Sequence, residues 1–146
     1  MIIAIDFDGT CVTHEFPGVG KDIGAAEVLQ RLAENGHSLV LFTMRSNKHD
    51  SIGFSNEVEE IHNGDFLNHA VEWFKKNKIP LFGININPQQ TEWTTSPKVY
   101  AQLYIDDAAL GIPLKYDPAF ASRPYVDWKK VEIMLIESGH IKDDQA

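Results

Sequence analysis

Cysteine is nearly missing from this chain of 146 residues. The single Cys11 excludes an intrachain disulfide and fits a reducing compartment, so the cytoplasm is the expected location. With no histidine or second cysteine beside it, Cys11 reads as a small buried side chain. Long apolar runs are missing too, and no stretch is long enough to cross a bilayer as a helix. The first residues, MIIAIDFDGT, carry no basic leader and meet acid at once, so no secretory signal is expected. Positive charge is scarce: 13 Lys and Arg stand against 21 Asp and Glu, a formal charge of -8. That balance disfavours nucleic acid as a partner, because gripping it takes a basic face that releases counterions. A small phosphorylated substrate stays open, since acid gathered at one place is neutralised by a bound cation. Neither internal repeats nor low-complexity tracts break the chain, and one domain over 1–146 is expected.

What is present is an alternation. Hydrophobic residues make up 43% of the chain, enough for a real core. IIAID reads as a short apolar strand of the kind buried on both faces of a parallel sheet. KDIGAAEVLQRLAENG reads as a helix, with Ile23, Ala26, Leu29 and Leu32 on one face and Gly36 as its stop. HSLVLFT is a second strand. GDFLNHAVEWFKKNKIP is a second helix, with Lys75 and Lys76 in its last turns. LFGINI and QLYID are further strands. DWKKVEIMLIESG is a closing helix with Asp127 as its cap. SPKVYA is read as one helical turn; the segments 44–64, 87–96 and 117–126 are read as loops. The alternation predicts an α/β fold, a Rossmann-like three-layer sandwich around a mainly parallel sheet.

In open α/β sheets, ligands bind beyond the carboxyl ends of the strands. The first strand ends in Asp6 and Asp8, the second in Thr43, and the fourth in Asp106 and Asp107. Lys98 stands shortly before the fourth. Each has an ordinary reading alone: Thr43 as a strand-end cap, Lys98 as a solvated lysine, the two aspartates of YIDD as a turn. Their order after successive strands is what points to a site. Four carboxylates on one rim repel, and desolvation worsens this. A hard divalent ion, Mg²⁺, suits such oxygens. The Gly and Thr of DFDGT allow a tight turn whose amides face an anion. An EF-hand loop fits less well, because an apolar strand leads in where a helix is needed. A phosphoacceptor receiver domain places its acids in a different order along the strands.

With DFDGT, Thr43, Lys98 and YIDD in that order, the chain resembles the haloacid dehalogenase (HAD) superfamily of phosphohydrolases, over residues 1 to about 114. YIDDAALGIPL also resembles a small, cap-poor subgroup in which an arginine commonly follows the acidic pair; Ala108 stands there in this chain. The resemblance implies a Mg²⁺-dependent phosphatase. Asp6 would attack phosphorus, and Asp8 would act as acid and then base. Mg²⁺ would sit on Asp6, the backbone carbonyl of Asp8, and Asp106. Asp107 would orient water or Lys98. Thr43 and the amides near Phe7 and Asp8 would bind the phosphoryl oxygens, with Lys98 offsetting charge. Crowding by other acids is expected to keep a proton on Asp8. Two other readings use the same residues: a module that binds Mg²⁺ and a phosphorylated metabolite without turnover, and a phosphotransferase.

Other residues carry less. Arg45 is read either as a bidentate clamp on an anionic part of the substrate or as a surface ion pair. Trp73 and Phe74 read as core, and Trp93 as either pocket lining or partial burial against a helix. Neither gap between motifs has room for a sizeable cap domain, so an open site is expected. A large substrate fits such a site; a second copy in a homo-oligomer, or the loop 44–64 acting as a lid through Ile52 and Phe54, would close it.

Overall fold

Helix and strand alternate in the structure, a computed structural model that describes residues 1–47 and 64–144. The elements are β1 (Ile2–Ile5), α1 (Ala25–Glu34), β2 (Ser38–Leu41), α2 (Phe66–Lys76), β3 (Gly83–Ile84), β4 (Leu103–Ile105), β5 (Leu114–Lys115), β6 (Tyr125–Val126) and α3 (Trp128–Glu137). Four strands form one sheet in the order β3-β2-β1-β4. All its pairings are parallel: Ile2↔Ser38 through Ile5↔Leu41, Ile3↔Leu103 through Ile5↔Ile105, and Val40↔Gly83 with Leu41↔Ile84. The chain is an α/β protein with a parallel central sheet flanked by helices. No helix among the described residues is long and apolar enough to cross a membrane.

Alternation along the strands divides the core. Ile3, Ile5, Leu39 and Leu41 belong to the larger cluster, together with Val28, Leu29 and Leu32 of α1, Trp73 and Phe74 of α2, and Val131 and Leu135 of α3. Ala4 and Val40 point the other way and meet Val99, Phe42 and Phe82. The chain steps from β1 to β2 to β3 in one direction, and right-handed crossovers then lay α1 and α2 on one face. The return from β3 to β4 covers the opposite face without an α-helix. It carries a single 3₁₀ turn at Gln90–Glu92.

Helix ends follow their local chemistry. Gly36 and Gly139 adopt left-handed φ of 87° and 81° just past α1 and α3. Each lets two amides return to the last turn, His37 to Leu32 and Gly36 to Ala33, His140 to Leu135 and Gly139 to Ile136. Asp127 caps α3, its Oδ1 accepting from the Lys130 amide at 3.3 Å. Two local expectations fail. SPKVYA forms no helical turn; Gln90 takes the amide of Tyr100 and gives its own side-chain N–H to the carbonyls of Ser96 and Lys98, which ties the segment down without a helix. Segment 117–126, read as loop, ends in β6, which pairs antiparallel with β5. Two-residue strands carry too little periodicity to show in sequence. Most of the loop read as a lid, with Ile52 and Phe54, lies outside the described residues.

Candidate functional site

The parallel register sets the site. Asp6 directly follows β1, and its amide donates to the Ile105 carbonyl at 3.0 Å, tying the end of β1 to the end of β4. Asp106 and Asp107 follow β4. One carboxylate oxygen from each of Asp6, Asp106 and Asp107 lies within 4.8 Å of the others. The chain after Asp6 turns sharply, because the amides of Thr10 and Cys11 both donate to the Phe7 carbonyl, at 3.1 and 2.8 Å. That turn needs Gly9 at φ 81°. It brings the Thr10 hydroxyl to Asp6 Oδ2 at 2.7 Å, where it donates, while its oxygen accepts the Asp107 amide at 2.9 Å. The Trp128 indole N–H anchors the Thr10 carbonyl from below at 2.6 Å. Farther along the loop, His14 Nε2 sits 2.6 Å from Asp107 Oδ2.

Burial pushes the Asp6 carboxyl up to about 7 from an ordinary 3.8; the Thr10 hydroxyl opposes this, the Asp106 charge adds to it, and the Phe7 amide opposes it again. Asp106 is also raised, by burial first, with the Ala108 amide opposing and Asp107 adding. Among the described residues, no lysine or arginine forms a salt bridge with Asp6 or Asp106. Three hard oxygen donors short of positive charge are the donor set a Mg²⁺ or Ca²⁺ ion takes. The residues therefore fit a divalent cation. Cys11 is buried as expected, and burial holds its thiol well above the usual range.

The side chain of Asp8 goes elsewhere. Arg45 Nε donates to its Oδ2 and Nη2 to its Oδ1, both at 2.8 Å. The remaining guanidinium hydrogens go to the carbonyls of Pro17, Phe66 and Gly18, at 3.3, 3.1 and 2.6 Å. All five donors are therefore used. The plane also lies 5.0 and 5.1 Å from the ring centres of Phe7 and Phe16. Arg45 is 3% exposed, so it is neither a substrate clamp nor a surface pair but a buried clasp. Its sequence position, two residues past Thr43, does not distinguish these roles. Crowding by acid thus falls on Asp6 and Asp106, not on Asp8 as expected.

Other expected residues separate likewise. Thr43 lies two residues past the end of β2; its amide donates to Asn85 Oδ1 at 2.8 Å and its hydroxyl oxygen accepts the Arg45 amide at 3.1 Å. The Phe7 ring is fully buried against Trp73 and Phe74, so only its backbone faces Asp6. Lys98 is exposed, its ammonium 5.9 Å from the Tyr104 ring centre, and among the described residues it pairs with no carboxylate. Trp93 is 64% exposed and meets Tyr100 edge to face, which removes it from the core. Thr10 and His14 were not foreseen. Thr10 lies inside DFDGT and was readable there; His14 meets a residue 93 positions away, which no local pattern signals.

Fold and site together define an α/β protein with a carboxylate centre on the carboxyl rim of a parallel sheet. A solved structure, described as that of a conserved protein coded by a locus from Bacteroides thetaiotaomicron, is 30% identical, covering 94% of this chain and 91% of that one with a TM-score of 0.67. At that identity and coverage, the chain belongs to one family with that conserved protein. No protein-family model matches the chain, and neither does any curated protein.

Proposed function

We propose that the chain is a Mg²⁺-dependent phosphatase acting on a phosphate monoester in the cytoplasm, with Asp6 as the nucleophile. The observation that supports it most is the meeting of Asp6, Asp106 and Asp107 at one strand-end rim. Bound there, Mg²⁺ would supply the positive charge that keeps Asp6 ionised and draws a phosphoryl group to it. An Asp6 oxygen attacks phosphorus, the ester P–O bond breaks, and an aspartyl-phosphate forms; water then releases phosphate and restores the carboxylate. The Thr10 hydroxyl on Asp6 Oδ2 holds the carboxylate in place. The backbone amide of Asp8 and the Thr43 hydroxyl are the donors for the phosphoryl oxygens. Asp8 is the acid for an alkoxide leaving group: its carboxylate must first part from Arg45 and take a proton from water, which it passes to the leaving oxygen and regains from the water that hydrolyses the intermediate.

The test is hydrolysis of p-nitrophenyl phosphate, a leaving group that needs little acid help. Activity should require Mg²⁺, vanish with excess chelator and return on adding the ion. Asp6→Asn should lower turnover at least about 10³-fold with its circular dichroism unchanged. Near wild-type turnover in that variant would rule out the covalent route.

The Asp8–Arg45 clasp favours a second reading, a module that binds cation and phosphorylated metabolite without turnover. Single-turnover assays across a broad phosphate panel separate the two. Release of inorganic phosphate, as against transfer to another alcohol, separates hydrolysis from phosphotransfer.

A further inference from the structure

We propose that His14 is a positioning residue of the acidic centre, its Nε2–H holding Asp107 in the orientation that takes up a divalent cation. The inference rests on the reading above only in that Asp6, Asp106 and Asp107 receive a cation; it does not depend on turnover.

The contact is short for N–H···O⁻, 2.6 Å. A carboxylate oxygen only accepts, so Nε2 carries the hydrogen. The fold is shaped around this pair. A Cβ at position 9 would collide with both the His14 ring and the Asp107 carboxylate, so Gly9 leaves the space that the contact fills. The Gly9 carbonyl accepts the Val126 amide at 3.0 Å. Next to His14, Thr13 is buried and doubly tied to Lys21, its amide to the Lys21 carbonyl at 3.0 Å and its hydroxyl oxygen to the Lys21 amide at 2.9 Å. The ring therefore approaches Asp107 from a fixed loop.

The three carboxylates share one arrangement. Asp6 has Oδ2 on the Thr10 hydroxyl, Asp106 has Oδ1 on the Ala108 amide at 2.8 Å, and Asp107 has Oδ2 on His14. Asp107 Oδ1 also lies 3.5 Å from the Thr10 hydroxyl, and the remaining oxygens are left for a cation or its water. Such outer donors orient ligating carboxylates, and losing one typically weakens metal affinity 10–100-fold. A histidine–aspartate pair serving stability alone would leave metal affinity unchanged.

The experiment titrates the full-length protein with Mn²⁺, the bound fraction read by electron paramagnetic resonance. His14→Ala should weaken Mn²⁺ binding about 10-fold or more. His14→Gln, whose amide replaces the Nε2–H donor, should stay within about 3-fold of the wild type. His14→Leu fills the ring's space without a donor, should bind as weakly as the alanine variant, and takes its place if that variant does not fold. Wild-type affinity in the donor-free variants, or a glutamine variant as weak as they are, overturns the role of His14 and leaves the cation site standing. A wild-type protein that binds no Mn²⁺ overturns the cation site and this inference with it.

Discussion

Two aspartates separated by a single phenylalanine meet opposite surroundings. Asp6 lies with Asp106 and Asp107 in a centre where acid outnumbers its counter-charge. Asp8 lies in a clasp where one guanidinium spends all five hydrogens on a carboxylate and three carbonyls. The clasp is complete without a ligand, and removing Arg45 leaves the Asp8 carboxylate and three carbonyls without these partners. In the acidic centre no described lysine or arginine forms a salt bridge with Asp6 or Asp106, and a bound cation would offset the repulsion among its carboxylates. Residue type is the same in both; what differs is which distant segment folds against each carboxylate.

The largest effect expected from breaking this contrast is on the clasp. Arg45→Met should destabilise the protein by about 3–5 kcal/mol, because Asp8 and three carbonyls lose their partners. For a marginally stable domain that is a large share of the total, and urea unfolding should show a far lower midpoint. An unchanged midpoint would mean the clasp contributes nothing to the fold.

The acidic centre should respond to pH instead. Asp6 has a folded-state pKa raised from 3.8 to about 7, so the fold binds its proton more tightly than the unfolded chain does. The stability this contributes is fully present below about pH 4 and is lost as pH rises through about 7, up to about 4 kcal/mol for such a shift. In chelator, the urea midpoint should therefore fall between pH 4 and pH 7. Asp6→Asn should flatten that slope, and Mg²⁺ should restore stability at pH 8. A midpoint that rises over the same window would contradict the burial of an uncompensated Asp6.

The smallest effect is expected at Lys98. Lys98→Met should change stability by less than about 0.5 kcal/mol and leave Mn²⁺ affinity within about 2-fold of the wild type, since the ammonium is exposed and pairs with no described carboxylate. A loss of affinity of 10-fold or more would place this lysine at the carboxylates after all.

Primary structure alone determined the alternation, the parallel sheet and the strands that end in acid, because apolar periodicity and the side chains at strand ends are local properties. It also marked the helix stop at Gly36 and the Asp127 cap, where one or two residues decide the backbone. The β5–β6 pair stayed hidden, since two residues give no period and a distant strand stabilises them. Tertiary structure alone decided how the charges are shared out. Arg45 reaches Asp8 across 37 positions, and His14 reaches Asp107 across 93. The free energy of a charge depends on what shares its low-dielectric surroundings, and those neighbours are chosen by packing rather than by order along the chain.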